Sequence, residues 1–142
     1  IAKAAEEGIE YDRRYRTYEF KIKNTVDAIS HGACGMAIDI GAKAIAVCSL
    51  SGMTARMVSR FRSPVDILGV TTSEKTFRKL ALSWGVTPVL CEPLNSTDVL
   101  FYRAKQLAKE AFDLRCGDLI VVTGGITNGH SGNTDLIKVE KI

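Results

Sequence analysis

The chain has 142 residues, of which 46% are hydrophobic, and this is enough for one domain with a single core. Its formal net charge of +3 comes from 19 basic and 16 acidic residues scattered along the chain, so no basic stripe predicts a nucleic-acid or membrane partner. No apolar run has the length of a membrane span, and the first residues lack the order of a signal peptide, which predicts a cytoplasmic protein.

The first residues, IAKAAEEGIEYDRRYRTYEF, combine helix-forming residues with a mixed-charge face up to about Arg16. They predict one helix that runs into a connector. Because a lone flanking helix has no core of its own, it more often belongs to a preceding domain. We therefore predict that residues 1–20 are a linker helix from a preceding domain and that residues 21–142 form an α/β domain.

The next segment, TVDAISHGACGMAIDIG, predicts a buried helix. Asn24 or Thr25 suits its N-cap, and Gly41 suits its C-terminal stop. The apolar residues at helical spacing are Val26, Ile29, Ala33, Met36, Ala37 and Ile40. His31 has no second metal ligand nearby in the sequence, which favours a structural or surface histidine over a catalytic one.

From this point the pattern alternates between strands and helices. Short apolar runs predict buried strands at KAIAVCS, VDILGVT, VTPVLCE and DLIVVTG. The segments between them predict helices at MTARMVSRFR, SEKTFRKLALSWG and TDVLFYRAKQLAKEAFDLR. Ser73 suits the cap of the second of these helices, which Gly85 ends after Phe77, Leu80, Ala81 and Trp84. Asn95, Ser96 or Thr97 suits the cap of the third.

This alternation predicts the fold class. Helices between successive strands imply crossover connections and a mainly parallel sheet with both faces covered, which is a three-layer α/β/α sandwich. The final run, DLIKVEKI, follows its predecessor without a helix, so we predict an antiparallel fifth strand at the edge of the sheet. Its charged residues Lys138, Glu140 and Lys141 suit an edge that avoids indiscriminate pairing, or a specific subunit contact.

The four cysteines are widely separated and form no CxxC pair, which disfavours a metal site or a disulfide framework. We predict buried free thiols at Cys34, Cys48, Cys91 and Cys116.

The stretch CSLSGMTARM is the first candidate for an anion site. Its strand delivers Ser49, Ser51, Gly52 and Thr54 to the start of a helix that begins near Met53. Ligands of such sheets bind beyond the carboxyl ends of the strands, where free N–H groups and the positive end of a helix dipole favour a phosphoryl group. The hydroxyl groups would complete the cradle, although ordinary capping explains Thr54 alone.

The stretch TGGITNGHSGNT, from Thr123 to Thr134, is the second candidate, with four glycines and no acidic residue. Glycines let backbone N–H groups converge on an anion, and a plain glycine-rich turn is the alternative. If its strand neighbours the first one in the sheet, both loops contact one ligand, such as a sugar bisphosphate or a nucleotide. Neither loop matches GxxxxGK[ST] or GxGxxG, which disfavours nucleotide hydrolysis and dinucleotide binding.

Candidates for catalysis are scattered. Glu92, Asp98 and His130 have no spacing that places two of them in one site, and His130 suits either a phosphate contact or solvent. The residues therefore predict binding without chemistry, and no metal or cofactor, in this chain.

Three motifs, SGMTARMVSRFR, LALSWGVTPVL and VVTGGITNGHSGNTDLIKV, resemble the C-terminal domain of pyruvate kinase in order and spacing, from about Asn24 to the end of the chain. Residues 1 to 20 resemble the helical segment that links the catalytic barrel of that family to this domain. The resemblance implies an α/β sandwich whose five-stranded sheet has an antiparallel last strand. It also implies a regulatory domain, in which fructose 1,6-bisphosphate, ribose 5-phosphate or AMP binds and activates the barrel of a glycolytic homo-oligomer.

By motif, the resemblance assigns two groups of effector-binding residues. The loop that holds one phosphate comprises Ser49, Leu50, Ser51, Gly52, Met53 and Thr54. The effector loop that closes on the ligand includes Gly125, Asn128, Gly129, His130, Ser131, Gly132, Asn133 and Thr134.

Two departures from the family concern the choice of effector. Leu50 stands where some eukaryotic members have a lysine, and the position near Leu100 lacks the arginine that grips a second phosphate. Both departures favour a monophosphate effector, or none, over fructose 1,6-bisphosphate. Arg103 on the same helix either reaches toward the ligand or is a solvated charge.

The family's catalytic residues and its magnesium and potassium ligands lie in the barrel, and no segment here resembles that barrel. The resemblance thus implies that this chain alone transfers no phosphate. A longer parent would be the enzyme, converting phosphoenolpyruvate and ADP to pyruvate and ATP with Mg and K in its barrel. One alternative is a stand-alone, non-catalytic module that senses a small phosphorylated metabolite, and another is a structural domain whose edge strand joins subunits.

Overall fold

The computed structural model describes residues 2–125 and 134–142. The chain opens with three helices: α1 (Ala2–Glu7), α2 (Tyr11–Thr17) and α3 (Thr25–Asp39). Strands and helices then alternate, as β1 (Ala44–Cys48), α4 (Met53–Arg60), β2 (Asp66–Thr71), α5 (Glu74–Leu80), β3 (Val86–Leu90), α6 (Thr97–Phe112), β4 (Leu119–Gly125) and β5 (Thr134–Lys141).

The five strands form one sheet in the order β3-β2-β1-β4-β5. All neighbours are parallel except β4 and β5, which pair antiparallel and leave β5 at an edge. Residues of α3, α4 and α5 form a core with one face of the sheet, and residues of α6 form a second core with the other face. The predicted three-layer α/β/α sandwich is therefore confirmed.

Burial follows the position of each strand in the sheet. Every residue of β1 is buried, as is most of β2 and β4, because helices cover both faces of these three central strands. Residues of β3 are half-buried or exposed. Its Pro88 has no N–H to donate, and an edge strand is the place in a sheet that tolerates this.

The N-terminal segment differs from the single helix predicted for it. Two short helices flank a break at residues 8–10, where Gly8 disfavours continuation of α1. Every residue of α1 is exposed, and α2 buries Tyr15 against α3. The hydroxyl of Tyr15 donates to the carbonyl oxygen of His31 at 2.6 Å, and the two rings stack with centroids 5.0 Å apart. Desolvation by its neighbours lowers the pKa of His31, which has a packing role here.

Helix α3 begins as predicted but faces the core differently. The side chain of Asn24 accepts a hydrogen bond from the N–H of Asp27, so the predicted cap is confirmed. The buried residues are Asp27, Ser30, Ala33, Cys34 and Ala37. Of the predicted apolar face, Met36 and Ile40 are each 36% exposed, and this part of the prediction is wrong. Small side chains let α3 lie close to its neighbours, and an added Cβ at Gly35 would lie 3.2 Å from the hydroxyl oxygen of Tyr15.

Helix α5 is shorter than predicted. Ser73 caps it by accepting a hydrogen bond from the N–H of Thr76, as expected, but the helix ends at Leu80 rather than at Gly85. Trp84 therefore lies in the turn before β3, where its ring packs against Tyr11 with centroids 5.1 Å apart.

Three of the four cysteines, Cys34, Cys48 and Cys91, are buried free thiols as predicted. Cys116 is exposed, so the prediction is wrong for it. It lies in the short connection between α6 and β4, where residues 115–117 are all exposed at the surface. In the described part of the chain, no helix combines the length and apolar character that a membrane crossing needs.

Leu80 and Leu82 form a matched pair that tests this packing. The side chain of Leu80 is 1% exposed and fills the space beside Gly52 and Gly69, whereas Leu82 is 91% exposed. Leu80→Ala should lower the free energy of unfolding by about 2–5 kcal/mol, because it leaves a cavity. Leu82→Ala should change it by less than about 0.5 kcal/mol. Urea unfolding measures both, and similar losses at the two positions would contradict this arrangement of the core.

Candidate functional site

The candidate site lies at the carboxyl edge of the sheet, where β1 and β4 end side by side. Cys48, the last residue of β1, is in register with Gly124 of β4. The contact is close, since a Cβ added at Gly124 would lie 3.0 Å from the carbonyl oxygen of Cys48. The sequence predicted that both loops contact one ligand if β1 and β4 are neighbours in the sheet. The two strands are neighbours.

The loop between β1 and α4, residues 49–52, is held by hydrogen bonds to β2 and α5. The N–H of Ser49 donates to the carbonyl oxygen of Val70 at 2.9 Å. The carbonyl oxygen of Leu50 accepts from the hydroxyls of Thr71 and Thr76, at 3.3 and 2.9 Å. The loop is therefore anchored to β2 and to the first turn of α5, while the side chain of Leu50 is 46% exposed.

Within this loop, two serine hydroxyls bond to the chain as it turns into α4. Ser49 Oγ accepts from the N–H of Gly52 at 3.0 Å, and Ser51 Oγ accepts from the N–H of Met53 at 3.4 Å. Gly52 is the N-cap residue and has φ +74°, the left-handed region that favours glycine. An added Cβ there would also lie 2.8 Å from Thr76 Cγ2, so the turn has room only for a glycine.

A pair of threonine hydroxyls joins the two predicted loops. Thr54 lies in the first turn of α4 and Thr134 is the first residue of β5, and their Oγ1 atoms are 2.5 Å apart. Both residues are buried, at 3% and 6% exposure. Thr134 is also in register with Gly125, the last residue of β4. The start of α4 thus contacts Thr134 at one end of the second predicted loop, and Thr134 pairs with Gly125 at the other end.

The other residues predicted for the second loop lie outside the described residues. They are Asn128, Gly129, His130, Ser131, Gly132 and Asn133, and their assignment stays a prediction.

The charge at its start distinguishes α4 from α3, α5 and α6. Its first turn reads Met-Thr-Ala-Arg, so it has one basic residue, Arg56, and no acidic residue. By contrast, α3, α5 and α6 each have an acidic residue in the first turn, namely Asp27, Glu74 and Asp98. A carboxylate there offsets the positive end of the helix dipole. At α4 that positive end, with its N–H groups that have no intrahelical partner, is available to an external anion.

The remaining reactive groups near this edge have local partners. Arg103 Nε lies 3.5 Å from Glu92 Oε1, just beyond the end of β3. Burial raises the pKa of the Cys48 thiol to about 12, so this thiol is protonated at neutral pH and is not a nucleophile. Across residues 2–125 and 134–142, no group of three or more His, Cys, Asp or Glu side chains is placed to hold a metal ion.

Sequence reasoning missed Thr71 and Thr76. Both hydroxyl residues stand where ordinary capping explains them, one at the end of β2 and one in the first turn of α5. Their contact with Leu50 depends on the pairing of β1 with β2, and no local spacing signals it.

The chain is similar to known proteins over most of its length. The family model described as pyruvate kinase, alpha/beta domain, matches residues 27–140. The pyruvate kinase of Clostridium acetobutylicum is 41% identical over 143 residues, which covers 100% of this chain and 30% of that protein. The pyruvate kinase of Lactobacillus delbrueckii subsp. bulgaricus is 37% identical over 127 residues, 89% of this chain and 22% of that protein.

A solved structure is similar over almost the whole chain. Cryptosporidium parvum pyruvate kinase in complex with ADP superimposes with a TM-score of 0.81 at 26% identity, covering 94% of this chain and 27% of that one. The chain therefore spans less than a third of the length of each of these relatives.

Gly52 and Gly41 provide a matched test of the turn into α4. Both have positive φ, but a Cβ at Gly41 would meet nothing within 4 Å, whereas one at Gly52 would meet Thr76 and Leu80. Gly41→Ala should lower the free energy of unfolding by about 1–2 kcal/mol, the backbone cost of the left-handed region. Gly52→Ala should lower the free energy of unfolding by about 1–3 kcal/mol more than Gly41→Ala does, because of the added clash. Equal losses in urea unfolding would show that the turn is not sterically confined.

Proposed function

The chain belongs to the pyruvate kinase family, and from that premise we propose that it is the regulatory C-terminal domain of a pyruvate kinase. In this proposal it binds a phosphorylated sugar or nucleotide at the carboxyl edge of its sheet. Binding there regulates the catalytic barrel of a larger homo-oligomeric cytoplasmic enzyme. That enzyme converts phosphoenolpyruvate and ADP to pyruvate and ATP in glycolysis, with Mg and K in the barrel, and this chain performs no phosphoryl transfer itself.

The contact between Thr54 and Thr134 is the observation that carries the proposal. It brings the start of α4 to within a hydrogen bond of the first residue after 126–133, the glycine-rich segment predicted to close on the ligand. A ligand bound at the start of α4 is therefore within reach of both candidate loops. Residues 80 apart in the chain meet at this point.

The chemistry of the β1–α4 loop supports an anion as the ligand. Ser49 and Ser51 each accept a hydrogen bond from the loop, so the hydroxyl proton of each is available to donate elsewhere. Two hydroxyl donors, the N–H groups of the first turn beyond Met53 and the positive end of the helix dipole together suit the oxygens of a phosphoryl group.

The number of phosphates on the ligand is inferred from the charges near this loop, at Leu50 and at Arg103 of α6. Leu50 presents a half-exposed apolar side chain where a lysine would add positive charge, and Arg103 lies in an ion pair with Glu92. Neither Leu50 nor Arg103 therefore offers a free positive charge to a second phosphate, and Arg56 is the cation at the start of α4. We propose a monophosphate effector, ribose 5-phosphate or AMP, in preference to fructose 1,6-bisphosphate.

Calorimetric titration with ribose 5-phosphate, AMP and fructose 1,6-bisphosphate tests this function. Ser51 is the position to vary, because it is exposed, whereas Thr54 is buried and an acidic side chain there would disturb the fold. Ser51→Glu places a negative charge at the start of α4 and should weaken binding at least about tenfold more than the uncharged control Ser51→Gln.

Two results would contradict the proposal. One is the absence of heat and of any thermal shift with all three compounds. The other is equal affinity in Ser51→Glu and Ser51→Gln, which would place the anion away from the start of α4.

A further inference from the structure

Trp84, in the turn after α5, contacts both α2 and the end of α4 on the side of the domain away from the candidate site. The guanidinium of Arg62, just after α4, lies 4.7 Å from the centroid of the Trp84 ring. The ring of Tyr11, in α2, lies 5.1 Å from it. The hydroxyl of Ser59, in the last turn of α4, donates to the Trp84 carbonyl oxygen at 2.6 Å. Trp84 thus connects the end of α4 to the N-terminal segment.

Arg62 adopts an unfavourable backbone conformation to make this contact. Its φ is +51°, in the left-handed region, and it directly follows the C-cap residue Phe61. Glycine is the usual residue at that position of a helix end, and other residues adopt the conformation at a cost. A strained residue persists when its surroundings hold it, and here the stack on Trp84 does so.

Both helices that contact the β1–α4 loop lead toward Trp84. Helix α4 begins at that loop, spans eight residues or about 12 Å, and ends beside Trp84 through Ser59 and Arg62. Helix α5 holds Leu50 through Thr76 in its first turn and ends at Leu80. The turn that follows it, closed by a hydrogen bond from Ser83 N–H to Leu80, leads into Trp84. A shift of either helix at the loop therefore moves the surroundings of Trp84.

The N-terminal segment is held by few contacts. Every residue of α1 is exposed, and Tyr15 is the residue that α2 buries. Arg16 pairs with Asp39 at 3.2 Å, but both side chains are more than half exposed, so this ion pair adds little. Segments with few buried contacts open locally at low free energy. Tyr11 contacts the Trp84 ring with the two ring planes tilted by 44°, and this contact adds to the burial of Tyr15 in holding α2.

We propose that Trp84 couples occupancy of the β1–α4 loop to the attachment of α2, a coupling that rests on the function proposed above. The two states are α2 docked on Trp84 and α2 released. A ligand that holds the start of α4 in its present position favours the docked state, because that position keeps Ser59 and Arg62 on Trp84. By reciprocity, loss of the docked state lowers the affinity for the ligand by the same factor.

The experiment uses Trp84 as its reporter, since it is the one tryptophan in the chain. Tryptophan emission and amide hydrogen exchange of residues 11–17 are followed while ribose 5-phosphate, AMP or fructose 1,6-bisphosphate is added, and calorimetry runs in parallel. Any of these compounds that releases or absorbs heat should also shift the emission and slow the exchange of α2.

Arg62→Gly is the decisive variant. It relieves the left-handed strain and removes the guanidinium, so the domain should unfold at an equal or higher urea concentration. Exchange of residues 11–17 should nevertheless become about two- to fivefold faster, as expected for loss of one cation–π contact. The emission response to the ligand should fall with it. Arg78→Ala is the control, because Arg78 is an exposed arginine of α5 paired with Glu74. It should change none of these readouts.

The outcomes separate the two proposals. Heat with unchanged emission and unchanged exchange overturns the coupling and leaves the proposed function intact. An Arg62→Gly variant that behaves like Arg78→Ala overturns the coupling as well. Absence of heat with all three compounds overturns the proposed function, and the coupling with it.

Discussion

Because β4 lies directly beside β1, two hydroxyl side chains 80 residues apart in the chain meet at one edge of the sheet. The other features of the candidate site depend on this pairing. Gly124 allows the two strand ends to approach, and the antiparallel return of β5 places Thr134 opposite Gly125 and against Thr54. A parallel sheet with a different strand order would leave the same residues in the sequence and no common site.

The loop at this edge is held in one conformation by contacts with its neighbours. Leu50 is held through its carbonyl oxygen by two threonines, and Gly52 fits a turn that has no room for a Cβ. Such preorganisation reduces the ordering that binding would otherwise require. The same contacts tie the loop to α4, whose Ser59 bonds to Trp84, and to α5, which the following turn connects to Trp84. Rigidity at the loop and connection to the N-terminal segment therefore have the same structural origin.

Much of the fold could be predicted from the sequence, because strand and helix periodicities alternate clearly and each crossover implies a parallel pair. The β1–α4 loop could be predicted too, since its serines and glycine stand directly between a strand and a helix. The predictions that were wrong concern features that depend on tertiary contacts. Met36 and Ile40 fit a helical period but face outward, because Asp27 pairs with Arg60 and small side chains bring α3 close to the sheet. Similarly, Trp84 fits the helical period of α5, but it lies beyond the end of that helix and contacts Tyr11 and Arg62. Thr71 and Thr76 gave no signal, because their partner lies on another strand's loop.

The central claim is that one phosphorylated ligand contacts the start of α4 and the beginning of β5 together. Amide chemical-shift mapping during addition of ribose 5-phosphate or AMP tests it most directly. The amides of Ser51, Thr54 and Thr134 should shift together, along one saturation curve. Shifts that saturate at different concentrations for Thr54 and Thr134, or shifts confined to residues away from this edge, would contradict it.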